Sequence, residues 1–216
     1  MRLLRGLFHR NGTDLFGGKE FGMTRMLVKF AKKSEAVFLS HRETMRCLER
    51  ALRRSELPLS YTSGFKPRPR VSFSPALPLG VAAEAEYIEV GLEEDVNSKE
   101  ALEKINQALP RGLEVREIHA LSKTMPRLSR WVRYGLYRVP VGAGYEYLLL
   151  SLSGVKQGRL RDALEKMASQ LGMAVNDRGA VRVGLYASPD EVFEDAQGII
   201  HFFDGETGEL RRMSGE

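Results

Sequence analysis

A chain of 216 residues, 43% apolar and 28% charged, is long enough to bury a core and spans either one large domain or two small ones. No run of about 18 consecutive apolar residues occurs, which excludes a transmembrane helix, and the basic start Met1–Arg10 is too short in apolar run for a signal peptide. The lone cysteine, Cys47, excludes an internal disulfide or a multi-cysteine metal or iron–sulfur site and points to a reducing cytoplasm.

The net charge of +5 is unevenly spread. Residues 23–80 carry 12 Lys/Arg against four Asp/Glu, whereas residues 81–125 carry five against ten and residues 126–216 balance at 12 against 12. A basic surplus gathered into 58 residues points to a polyanion partner more strongly than the whole-chain charge does. The competing reading is a solvated basic surface facing an acidic neighbour within one fold.

The first 22 residues are Gly-rich and weakly periodic, and read as a tail or an over-called start. Met26–Ala31 alternates as a strand. Ser40 and Glu43 form a capping box that opens a helix running to about Ser55, before Pro58. Tyr61–Gly80 is extended and turn-rich, with prolines at 67, 69, 75 and 78. Glu86–Leu92 alternates as a strand, Ser98–Leu109 is helical with Ser98 as N-cap, and Leu113–Ile118 alternates again. The order β-α-β-β-α-β over residues 23–122 predicts an α+β, ferredoxin-like lobe with both helices on one sheet face and the other face free. Residues 123–216 predict a second small α+β lobe. It comprises strands at Trp131–Val139, Tyr145–Leu152 and Val181–Tyr186, a helix at Gly158–Leu171, and a closing hairpin over 198–212.

On the 40–55 helix, Met45, Leu48 and Leu52 share the side that should face the sheet, while Arg42, Arg46, Arg50, Arg53 and Arg54 lie opposite. Arg42, Arg46 and Arg50 stand at i, i+4 spacing, which lets them track successive phosphates. Like charges at that spacing cost helix stability, a cost that Glu43 and Glu49 partly offset, so helix stability does not favour the stripe; the competing reading is a solvated helix face that uses arginine as a good helix former. In the loop that follows, alternating prolines hold Lys66–Arg70 extended, so that Lys66, Arg68 and Arg70 project to one side. Tyr61, Phe65 and Phe73 set aromatic rings beside these cations, the pairing used on single-stranded nucleic acid. Phe65 and Phe73 are equally readable as core residues.

His41, at the start of the basic helix, is the one catalytic candidate: a general base on a ribose hydroxyl with arginines stabilising the developing charge. The alternative is a histidine packed at a helix N-terminus. His119 reads as structural. Glu84, Glu86 and Glu89 read as a solvated acidic edge rather than a Mg²⁺ site. Neither a phosphate loop nor a dinucleotide motif is present, and no cofactor or metal is expected.

The run Ser63–Gly80, followed by Ala85–Glu89 and preceded by Phe38-Leu-Ser-His41, resembles a bacterial radical-SAM-linked domain family of unknown function. The resemblance covers about residues 24–212 and implies a radical-SAM protein as partner and a role in RNA modification. The first lobe is also similar at fold level to the CRISPR repeat-RNA processing endonucleases, metal-independent RNA cutters that often use a histidine.

These readings converge on an RNA-binding accessory module for tRNA or rRNA, without membrane association, cytoplasmic and without a catalytic constellation. Arg42, Arg46, Arg50, Tyr61, Phe65, Lys66, Arg68 and Arg70 form the RNA-binding set. A metal-independent endoribonuclease using His41 and a protein-interaction adaptor are the alternatives.

Overall fold

The computed structural model describes residues 25–121, 125–152, 159–175, 178–189, 192 and 201–212. The expected 1–22 tail and the 198–200 start of the last hairpin therefore lie outside the described residues. The elements are β1 (Arg25–Lys32), a 3-10 turn (Ser34–Phe38), α1 (His41–Arg54), β2 (Val71–Phe73), β3 (Ala82–Gly91), α2 (Ser98–Ala108) and β4 (Leu113–Leu121). They continue with α3 (Leu128–Trp131), β5 (Tyr134–Val141), β6 (Gly144–Ser151), α4 (Leu160–Leu171), β7 (Val181–Tyr186), β8 (His201–Asp204) and β9 (Leu210–Arg212).

The strands form one mixed, mostly antiparallel sheet in the order β4-β1-β3-β7-β5-β6-β8-β9. β1 pairs antiparallel with both β3 and β4, and β2 pairs antiparallel with β3. The join between the two halves of the chain is parallel: Ala82 and Ala83 of β3 lie opposite Val181 and Arg182 of β7. One edge of β3 is thus shared. β2 takes residues 88–90 and β7 takes 82–83, which leaves the stretch around Glu86 between two partners.

Alternation along β1 sorts the core into two layers. Met26, Val28 and Phe30 point to the side where Leu48 and Leu52 of α1 and Ala101 and Ile105 of α2 are buried. Leu27 points the other way and joins Tyr87, Leu121, Leu128 and Trp131, continuous with Leu160, Leu164 and Met167 of α4. The expectation of a free sheet face fails here. The single turn α3 folds back over β2 and β3, and Trp131, read as a strand residue, packs its ring edgewise on Tyr87 at 6.4 Å. A four-residue helix carries too few positions for periodicity to announce it.

Two local forecasts about helix starts have different outcomes. Ser40 Oγ accepts from the Glu43 N–H, and the Glu43 carboxylate accepts from the Ser40 N–H, so the α1 capping box is formed. The α2 cap is Asn97, whose Oδ1 accepts from the N–H groups of Lys99 and Glu100, and not Ser98. Either side chain is a competent cap, so composition alone leaves the register open by one residue.

Candidate functional site

Two polar regions stand out, one at the surface and one inside. The surface region begins on α1. Thr44, Leu48, Ala51 and Leu52 turn inward, which places Arg42, Arg46, Arg50, Arg53 and Arg54 in solvent. Among the described residues none of Arg42, Arg46 and Arg50 forms an ion pair, while Arg54 donates to the Ala108 carbonyl at 2.6 Å and caps the end of α2.

After α1 the chain forms a narrow two-stranded finger rooted in β3. Leu59 bridges Leu92, and Tyr61 bridges Pro69. The Ser60 N–H donates to the Gly91 carbonyl (2.9 Å), the Gly91 N–H to Arg70 (2.8 Å), the Arg70 N–H to Ser60 (2.7 Å) and the Thr62 N–H to Arg68 (2.8 Å). The Arg70 Nε also donates to the Tyr61 carbonyl at 2.9 Å, so one cation ties the two legs together. Pro69 is buried, and its neighbours Arg68 and Arg70 are exposed. Residues 61–68 are exposed throughout, with Phe65 wholly in solvent. Phe73, by contrast, is half-buried against the α1 core, so the two phenylalanines that sequence treated alike part company.

The inner region lies at the N-terminus of α1, where the edge of β3 changes partner. Arg182 reaches across from β7 and is fully buried. Its Nε and Nη2 donate to the two Glu86 carboxylate oxygens at 2.5 and 2.6 Å, and its remaining donors reach the carbonyls of Pro75 (2.9 Å) and Ala76 (3.5 Å) and the Tyr137 hydroxyl (3.3 Å). Ser74 Oγ donates to Glu86 at 3.0 Å. Burial acts to lower the Arg182 pKa, but the Glu86 carboxylate and Tyr137 more than reverse it, so the guanidinium stays charged. Burial raises the Tyr137 phenol.

Lys32, His41, Thr44, Phe73, Ser74 and Glu86 line a narrow cleft beside this network. The Lys32 ammonium donates to the Leu39 carbonyl at 2.6 Å, and burial lowers its pKa against the pull of Glu86. His41 sits half-buried with its ring edge on Phe73, centroids 6.2 Å apart. Burial holds its imidazole below the ordinary histidine range; Glu86 opposes this, and the charges of Arg182 and Lys32 add to it. The unfolded chain therefore takes up a proton at His41 before the folded one does. Stability from this group is present above the ordinary value of about 6.5 and is lost as pH falls through the lower folded value. The urea midpoint should drop from pH 7 to pH 5, and His41→Asn should make that drop shallower; equal slopes would assign it to other groups.

The acidic edge expected at Glu84, Glu86 and Glu89 is only partly an edge. Glu84 is exposed and pairs with Arg138 at 2.9 Å. Glu86 is buried on Arg182, and Glu89 is buried with Arg25 and Arg127 each at 3.0 Å and the Leu128 N–H at 2.9 Å. The two inner carboxylates face opposite sides of β3, so they do not converge. His119 lies beside Glu117, with Nε2 at 3.2 Å from Oε2.

The expected RNA-binding set is thus distributed over α1 (Arg42, Arg46, Arg50) and the finger (Tyr61, Phe65, Lys66, Arg68, Arg70), all exposed, while His41 belongs to the inner cleft. Lys32, Ser74, Glu86, Tyr137 and Arg182 were not singled out as site residues; for Lys32, Glu86 and Arg182 the only sequence sign is a charge on a strand, and Ser74 and Tyr137 carry none. Among the described residues no helix is long and apolar enough to cross a membrane. No curated protein matches the chain. Residues 25–182, from the first strand to the buried arginine, match the family described as an uncharacterized protein conserved in bacteria, DUF2344, and the chain belongs to that bacterial family.

Proposed function

We propose that this protein is an RNA-binding accessory module that works with a radical-SAM protein in the modification or processing of tRNA or rRNA, in the cytoplasm. The observation that carries the reading is a contrast between two sets of cations. Inside the fold, Arg25, Lys32 and Arg182 are each matched to a carboxylate or carbonyl. On α1 and the finger, Arg42, Arg46, Arg50, Lys66 and Arg68 are exposed and in no ion pair with another described residue. Cations held this way are available to phosphates. The strand order β4-β1-β3-β2, with α1 and α2 on one face, supports reading residues 25–121 as a ferredoxin-like unit.

The test is a filter-binding titration of labelled total tRNA at two salt concentrations, with wild type and Arg68→Ala/Arg70→Ala. Binding should weaken steeply with log salt, by about 0.7 decade per decade of salt for each phosphate contact to a single strand, and the double variant should flatten that slope. Binding indifferent to both salt and substitution would overturn the RNA reading.

A protein-interaction adaptor is favoured by one observation. Phe38 and Leu79 are both exposed on adjoining loops, which the Gly80 N–H joins by donating to the Val37 carbonyl at 2.9 Å. The endoribonuclease alternative rests on His41 being kept neutral near pH 7, as a general base must be. On that reading His41→Ala abolishes cleavage and leaves RNA affinity nearly intact.

A further inference from the structure

The finger carries more information than a basic patch needs. Its tip places a whole phenylalanine ring in water, where an apolar side chain has nothing to gain from the fold itself. The turn beside it is built for this: Gly64 sits at φ +122, a conformation side-chain-bearing residues rarely adopt, and a Cβ there would meet nothing. Glycine is therefore required by the backbone that turns Phe65 outward, not by crowding. Pro67 and Pro69, the Tyr61–Pro69 bridge and the Thr62–Arg68 hydrogen bonds fix the legs in advance, which lowers the ordering cost of engaging a ligand.

Along the finger's own sequence the charge is of one sign. Between Glu56 and Glu84 the sequence has no Asp or Glu, and it has three cations, Lys66, Arg68 and Arg70. An exposed ring set among unopposed cations suits a nucleobase face flanked by phosphodiesters, and it lacks the carboxylates that would meet a basic or mixed protein surface. In a duplex the base faces are already stacked and only edges and backbone are open, so a ring at a fingertip finds its partner only on an unpaired base.

We infer that the 59–70 finger reads an unpaired nucleotide, with Phe65 stacked on its base and Lys66, Arg68 and Arg70 on the adjoining phosphates, so that the RNA engaged is looped or single-stranded. This rests on the RNA-binding reading above and narrows it to one class of RNA. Phe65 contributes discrimination between unpaired and paired RNA, while the arginines of α1 contribute affinity that does not depend on pairing.

The experiment measures affinity of the full chain for three RNAs of equal length per strand: a hairpin with an unpaired loop, an unstructured oligonucleotide and a blunt duplex. Phe65→Ala, Phe65→Leu and Phe65→Trp are compared with wild type at two salt concentrations. Phe65→Ala and Phe65→Leu should weaken hairpin and oligonucleotide binding about tenfold or more, leave the salt slope unchanged and leave duplex binding unchanged; Phe65→Trp should retain the wild-type pattern. Equal weakening on the duplex, retention by leucine, or no effect of alanine would each overturn base stacking. In all three cases salt-steep binding by wild type would persist, so the RNA reading would stand. Absence of salt-steep binding to any of the three RNAs would remove both.

Discussion

Replacing Arg182 by methionine should cost about 3–5 kcal/mol of folding stability, because it strands a charge that the fold has already dehydrated. The Glu86 carboxylate would keep Ser74 Oγ as a donor but lose both guanidinium bonds, and the carbonyls of Pro75 and Ala76 would lose theirs. The surroundings leave little room for rescue by water, since both partners of the pair are almost wholly buried. The effect should be strongly non-additive. Arg182→Met combined with Glu86→Leu removes both charges together and should recover much of the loss, because a buried ion pair is worth little against well-packed apolar replacements. Urea unfolding followed by the fluorescence of Trp131, the only tryptophan in the chain, reads the result directly. A single-variant loss under about 1 kcal/mol, or a double variant no better than the single, would show that the pair does not hold β7 to β3. The consequence reaches the functional surface, since β3 also anchors the root of the finger through Gly91.

The contrast between α1 and Glu86 shows what a sequence can and cannot disclose. The start, inward face and outward arginines of α1 depend on residues within one or two turns of each other, and Ser40, Glu43, Leu48 and Leu52 behave as local rules require. Glu86 and Glu89 obey long-range partners: Arg182 is 96 residues from Glu86, and Arg25 is 64 from Glu89. An alternating strand containing a glutamate reads the same whether water or a guanidinium lies opposite, so a solvated edge was the natural expectation and a buried pair was the outcome. The finger falls between these cases. Its cations and prolines were visible, and its extended backbone followed from them, but the Tyr61–Pro69 pairing and the outward aim of Phe65 depend on how the legs meet β3. The covered second face of the sheet was hidden for a similar reason: α3 is too short to show a period, and its burial is decided by Leu27 and Tyr87, far away in sequence.

Substituting Arg42, Arg46 and Arg50 together by glutamine should separate binding from stability in opposite directions. Each of the three contributes to the free energy of counterion release when it meets a phosphate, about 0.7 decade of affinity per contact at roughly 0.1 M salt for a single strand, so losing three should weaken RNA binding roughly 100-fold and flatten the salt slope by about 2. The helix itself should not suffer. Arg42 stands in the first turn, where the helix dipole disfavours a cation, and successive like charges at i, i+4 repel by a few tenths of a kcal/mol per pair. Glutamine is nearly as good a helix former as arginine and, at these exposed positions, gives up no ion pair with a described residue. The urea midpoint should therefore stay level or rise slightly while affinity collapses. The stripe would then be a feature that the fold tolerates at a small cost and that only a polyanionic ligand repays. A fall in stability with affinity preserved would instead make the arginines a packing device and leave the finger as the only nucleic-acid contact.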